Sequence, residues 1–120
     1  MKHWKKISLL GVLVFLSFKT LSAQQSGYAC IYSKGLCGRT VARGERLDCK
    51  KLTAAHRTFK FGTQVRVTNV DNDKSVIVTI NDRGPYSKKD IIDLTPAAAK
   101  KIGLTYGLGR VKVKIQKVVD

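Results

Sequence analysis

The chain has 120 residues and a formal net charge of +15, from 23 Lys and Arg against 8 Asp and Glu. That length supports one small domain and excludes a multidomain enzyme. Residues 1–23 have the form of a secretory signal peptide, with a lysine-rich start, an apolar run and a small residue, Ala23, at the end. The apolar run is too short to span a bilayer. We therefore expect an exported protein, periplasmic or secreted, with no stable membrane anchor after cleavage.

Removal of residues 1–23 leaves 19 Lys and Arg, 8 Asp and Glu, one histidine (His56) and one glutamate (Glu45). A single histidine excludes any site that needs two histidine side chains. The cationic excess indicates a polyanionic partner or simply a solvated basic surface. Because the protein is exported, cell-wall polymers are a better match than nucleic acid. The cations are spread along the chain, so we expect no nucleic-acid partner.

Three cysteines remain, Cys30, Cys37 and Cys49. In an oxidising compartment one disulfide is expected. We favour Cys37–Cys49, because it would close the stretch between two predicted turns, although the sequence does not settle the pairing. The spacings contain no CxxC pair and only one histidine is present, so neither a zinc site nor a cofactor is predicted.

The pattern of elements begins with a polar leader at 24–26 and a strand at 28–32. A glycine-containing loop follows over 33–46. The alanine-rich segment 52–56 is compatible with one helical turn. Alternating apolar residues at 64–70 and 75–80, separated by the turn Asp71–Lys74, predict a β-hairpin.

A polar loop over 81–89 precedes the one clear helix signal. Thr95 can cap that helix, Pro96 suits its first position and Gly103 ends it. The last strand is predicted at 109–118. Several short strands with one helix in so few residues predict a small closed β-barrel.

Five ionisable residues adjoin turns: Glu45, His56, Asp82, Arg83 and Asp93. Each also has a structural interpretation. Glu45 would be a solvated loop residue, His56 a donor to a carbonyl and Asp82 an acceptor for turn N–H groups. Arg83 would pair with an aspartate, and Asp93 would be a carboxylate beside the helix. The functional interpretation requires them to converge in one groove, where a desolvated carboxylic acid can serve as general acid. Hydrolysis of a glycosidic bond needs a second carboxylate. A transglycosylase that uses an intramolecular sugar hydroxyl needs only one acid/base.

The motifs then allow a family comparison. The chain resembles the rare lipoprotein A (RlpA) family over nearly all of 27–118, through GYA at 27–29, GRTVARGE at 38–45, LTAAHRT at 52–58, FGT at 61–63, VRVTN at 65–69, NDRGP at 81–85 and IIDL at 91–94.

The resemblance implies an all-β, six-stranded double-psi β-barrel with one short helix, preceded by the signal peptide. It also implies endolytic cleavage of peptide-free peptidoglycan strands to 1,6-anhydro-muramyl ends. Asp82 of NDRGP would be the general acid/base, and His56 and Glu45 would line the cleft with it. Asp93 would be structural. Candidate substrate-binding residues are Thr53, Arg83 and two tyrosines, Tyr32 and Tyr86.

The chain departs from the family where Ser-Trp-Tyr is common, since it has Cys30-Ile31-Tyr32. One sugar-stacking platform is therefore missing, and a lipobox is absent. An alternative function is a non-catalytic, expansin-like module that binds glycans. We expect a monomer in either case.

Overall fold

The computed structural model describes residues 23–118. Residues 1–22 of the predicted signal peptide lie outside that range. Within it, no helix is long and apolar enough to cross a membrane. The elements are β1 (Gln25–Ile31), β2 (Thr53–Ala55), β3 (Gln64–Asn69), β4 (Ser75–Asp82), β5 (Asp90–Leu94), α1 (Pro96–Lys101) and β6 (Arg110–Lys117), with a 3₁₀ turn at Lys34–Leu36.

The six strands form a closed barrel in the order β1-β5-β2-β4-β3-β6, which confirms the predicted small closed barrel. Two pairs, β1–β5 and β2–β4, are parallel, and the other four are antiparallel. Closure leaves no strand edge unpaired. The mixed pairing places the C-terminal end of β1, where a long loop begins, close to the C-terminal end of β4.

Alternation along the strands builds the core. Each strand of the β3–β4 hairpin and β6 sends every second residue inward, and these residues are buried: Val65, Val67, Val76, Val78, Ile80, Val111, Val113 and Ile115. Burial of such side chains contributes about 1.5–3 kcal/mol each. The hairpin and the last strand are therefore confirmed, with ends that differ by one or two residues from the prediction.

Helix α1 is also confirmed. Oγ1 of Thr95 accepts a hydrogen bond from the Ala98 N–H, Pro96 is the first helical residue, and Gly103 follows the helix with a φ of 76°. This left-handed conformation explains the glycine. The Thr95 hydroxyl itself donates to the carbonyl of Lys51, so the cap also ties the helix to the segment that leads into β2.

Two sequence-based assignments were wrong. Segment 52–56 is not a helical turn, since Thr53–Ala55 forms β2. This strand pairs with β4 on one side and β5 on the other, and these pairings override the helix preference of alanine. The polar leader is also shorter than predicted. Gln25 and Ser26 belong to β1, because they pair with Ile115 and Lys114 of the long strand β6.

Candidate active site

Asp82 is the last residue of β4, and its carboxylate is held by three donors. Oδ2 accepts a hydrogen bond from the Tyr32 hydroxyl at 2.7 Å. Oδ1 accepts from the peptide N–H groups of Ala42 and Arg83, both at 2.9 Å. The side chain is half-buried. These bonds fix the direction of the carboxylate, as a group that exchanges a proton with a bound substrate requires.

Tyr32 directly follows β1, and its ring is buried with its hydroxyl turned toward Asp82. Burial, followed by the hydrogen bond to Asp82, raises the pKa of Tyr32 far above its ordinary value. The hydroxyl therefore stays protonated at neutral pH and can donate to Asp82. This arrangement makes Tyr32 a positioning residue for Asp82 and leaves less of its ring available as the stacking surface that the sequence suggested.

A cavity of about 260 Å³ opens beside Asp82. Pockets that enclose drug-sized ligands are larger, roughly 300–1,000 Å³, so this cavity suits a single small unit of a longer ligand. It combines polar and apolar walls, and its lining residues are Tyr32, Leu36, Arg39, Thr40, Val41, Leu47 and Asp82.

The loop that forms the outer wall of this cavity is firmly attached. The Cys37–Cys49 disulfide, the pairing that the sequence favoured, closes it. The Leu47 N–H donates to the Arg39 carbonyl at 2.7 Å, and the Gly38 N–H donates to the Leu47 carbonyl at 2.8 Å. Val41 and Leu47 pack with Tyr32 in a small apolar cluster. The cavity wall is thus held in place by covalent, polar and apolar contacts together.

Asp93 lies on the same face of the sheet as Asp82. Both are paired with Ala55, Asp82 from β4 and Asp93 from β5, so their backbones are separated by two strand spacings, roughly 10 Å. The Cys30 thiol donates to Oδ1 of Asp93 at 2.6 Å. Burial raises the pKa of Asp93, the hydrogen bond from Cys30 partly opposes this rise, and the nearby Asp90 and Asp82 add to it.

The Cys30 thiol is predicted to react slowly with alkylating reagents. Burial, then the hydrogen bond to Asp93, raises its pKa well above the ordinary value, so little thiolate exists at mildly alkaline pH. Because the thiolate is the nucleophile, we expect iodoacetamide to modify native Cys30 at least about tenfold more slowly than the urea-unfolded protein. Mass spectrometry of the modified peptide measures this. Equal rates in the two states would contradict the buried thiol.

The His56 side chain does not point to the Asp82 carboxylate. Its Nδ1 accepts from the N–H groups of Thr58 and Phe59, and Nε2 lies 3.1 Å from Oε1 of Gln25. Because Nδ1 is an acceptor, Nε2 carries the proton and donates to Gln25. The ring is buried and stacks on Phe59. His56 meets Asp82 through the backbone, where its N–H donates to the Asp82 carbonyl at 3.1 Å.

Glu45 and Arg83 both lie next to the site, but their side chains make different contacts. Glu45 is exposed, with its carboxylate 3.8 Å from Nε of Arg43. It ends the turn whose Ala42 N–H binds Asp82. The Arg83 guanidinium donates to the carbonyls of His56 and Phe59 and stacks over Phe61. The Arg83 guanidinium therefore holds the loop after β2 in place. The cleft-lining role of Glu45 and the substrate-binding role of Arg83 stay predictions.

The remaining predicted substrate-binding residues, Tyr86 and Thr53, differ in solvent exposure. Tyr86 is 91% exposed and can contact a ligand without rearrangement. The Thr53 hydroxyl oxygen is buried and has no hydrogen-bond partner within the described part of the chain. In residues 23–118, no three His, Cys, Asp or Glu side chains are grouped as metal ligands.

Comparison with known proteins shows the family. The family model described as "Lytic transglycolase" matches residues 24–115. The chain belongs to the RlpA-like double-psi β-barrel family. It is 46% identical over 95 residues to the endolytic peptidoglycan transglycosylase RlpA of Neisseria meningitidis and 49% identical over 89 residues to that of Pseudomonas aeruginosa.

These alignments cover 79% and 73% of this RlpA-like chain but 39% and 26% of the two relatives. The chain thus spans well under half the length of either relative. Among solved structures, it is similar to Streptomyces papain inhibitor (TM-score 0.64, 20% identity, 85% of this chain and 100% of that one). It is also similar to a Clavibacter michiganensis expansin (TM-score 0.63, 20% identity, 82% and 52%). At these identities the structures support the fold alone.

Proposed function

We propose that this RlpA-like barrel is a lytic transglycosylase that cleaves the MurNAc-GlcNAc backbone of peptidoglycan in peptide-free glycan strands. The observation that carries the proposal is the oriented Asp82 carboxylate at the edge of a cavity sized for one sugar unit. The family match and the names of the relatives supply the substrate class.

In the proposed reaction Asp82 acts twice. As a carboxylic acid it gives its proton to the glycosidic oxygen while the bond from that oxygen to the muramyl C1 breaks. As a carboxylate it then takes the proton of the muramyl C6 hydroxyl, whose oxygen bonds to C1 and closes the 1,6-anhydro ring. Asp82 is restored, and no water is consumed. One acid/base is therefore sufficient.

The surrounding residues position this group. The Tyr32 hydroxyl fixes Oδ2, and the loop that carries Glu45 fixes Oδ1 through the Ala42 N–H. His56 contributes through its peptide N–H at the Asp82 carbonyl. Tyr86 is a highly exposed aromatic side chain that is available to stack on a neighbouring sugar.

The test is to incubate the purified protein with peptide-free glycan strands and follow strand length by size-exclusion chromatography. Progressive shortening at low enzyme-to-substrate ratio is expected. Strands that keep their length over many times the incubation needed by a known lytic transglycosylase would contradict the proposal.

A second candidate, a glycan-binding module without turnover, is favoured by one observation. The solved expansin of the same fold forms a complex with cellohexaose. The two functions differ in the products. The binding module would co-sediment with intact strands, and adding salt would release it if its cationic surface dominates the contact.

A further inference from the structure

Arg39 lines the cavity beside Asp82 and is an exposed residue. The chain has seven arginines, and five of them have side-chain partners: Arg43, Arg46, Arg57, Arg83 and Arg110. Within residues 23–118, the structure gives Arg39 and Arg66 no side-chain hydrogen bond or ion pair. Arg66 lies on the outer face of β3, exposed, whereas Arg39 lines the cavity beside Asp82.

The backbone of Arg39 is held by two hydrogen bonds. Its N–H donates to the Leu36 carbonyl at 3.0 Å, and its carbonyl accepts from Leu47. The Cys37–Cys49 disulfide closes the same loop. The fixed backbone holds the base of the side chain in place, and the planar donors of a guanidinium match a carboxylate with two hydrogen bonds.

Arg39 and Asp82 are the two charged residues among those that line the cavity. An anionic ligand group would be repelled by the Asp82 carboxylate, so it belongs at Arg39, with the reacting bond at Asp82. Apolar side chains, Leu36, Val41 and Leu47, line the space with them. The cavity therefore suits a sugar unit that carries both a carboxylate and a small apolar group.

We propose that Arg39 is a specificity-determining residue that binds the free lactyl carboxylate of a muramyl unit, with the lactyl methyl against the apolar wall. This inference rests on the proposed function for its substrate class. A stem peptide converts that carboxylate into an amide. The amide removes the charge that Arg39 recognises and adds a chain to a cavity of only about 260 Å³, so peptide-bearing units are bound less well.

The experiment measures binding, so that it does not depend on turnover. Fluorescently labelled peptide-free strands are compared with the same strands after their lactyl carboxyls are converted to methylamides. All proteins in this comparison carry Asp82→Asn, which the proposed function expects to leave the strands intact. Into this background are placed Arg39→Gln, Arg39→Lys and, as the matched control, Arg66→Gln, which removes the same charge on the outer face of the barrel.

The parent protein is expected to bind carboxylate strands about tenfold or more tightly than methylamide strands, the range of one charge-assisted hydrogen bond or more. Arg39→Gln removes that preference, Arg39→Lys restores part of it, and Arg66→Gln keeps it. A preference that survives Arg39→Gln, or that Arg66→Gln removes equally, overturns the inference.

Turnover by the unaltered protein separates this inference from the proposed function. A preference that depends on Arg39, found with strands that are never shortened, contradicts the transglycosylase and supports the binding site. Strands that are shortened by a protein without that preference support the transglycosylase and overturn the role proposed for Arg39.

Discussion

Replacement of Asp82 by Asn is expected to lower the rate of strand cleavage by about a thousandfold, the usual contribution of a general acid/base. The amide N–H groups are not acidic enough to protonate the glycosidic oxygen, and the amide is too weak a base to take a proton from the C6 hydroxyl. Its Oδ1 still accepts from Ala42 and Arg83, and Nδ2 can donate to the Tyr32 hydroxyl oxygen. The melting temperature should therefore change little, and the initial cleavage rate measures the chemistry alone.

Two further variants are compared with Asp82→Asn. Tyr32→Phe keeps the buried ring but removes the donor to Oδ2, and we expect a smaller loss of rate, about tenfold for one positioning hydrogen bond. Asp93→Asn removes the other carboxyl on the same face, and we expect most of the activity to remain. If Asp93→Asn were the inactive variant and Asp82→Asn active, the acid/base would be Asp93.

The second large effect concerns the pH dependence of stability. Burial, followed by the charges of Arg57, Arg83 and Lys117, lowers the pKa of His56 to about 4. An unfolded histidine titrates near 6.5. Between these values the unfolded chain binds the proton and the folded chain does not, so stability falls as pH decreases through this window. The loss is up to roughly 3 kcal/mol once the pH is below both values. Urea unfolding from neutral pH to about pH 4 measures it.

His56→Asn is the matched control. The Asn side chain does not titrate, and its oxygen can accept from Thr58 and Phe59 as Nδ1 does. Asp93, whose pKa is raised, changes stability in the opposite direction, but it is present in both proteins and cancels in the difference. The free energy of unfolding of the variant should therefore fall less steeply toward acid pH. Identical slopes in the two proteins would show that His56 is not buried in its neutral form.

The elements that could be predicted were those whose signal is local. The alternation of Val65 and Val67 with Arg66 specifies the hairpin, and Thr95 with Pro96 and Gly103 specifies both ends of the helix. Asp82 was identified as the central site residue from its motif, and the structure gives it oriented donors. Its catalytic role stays a prediction.

The parts that could not be predicted depend on pairing between distant segments. Thr53–Ala55 is a strand only because β4 and β5 lie on both sides of it, and the sequence pattern alone did not single out β5. The partner of the His56 ring, Gln25, is 31 residues away. Likewise, nothing in the order of residues indicates that Tyr32 binds Asp82 or that Arg39 lines the same cavity.

The mass of the strand ends released from peptide-free glycan tests the transglycosylase most directly. Mass spectrometry should find muramyl ends one water lighter than hydrolysed ends, with the Asp82→Asn protein producing none above background. Fully hydrated ends would identify a hydrolase instead, and strands that bind the protein but gain no new ends would identify a binding module. Either result would contradict the function proposed for this barrel.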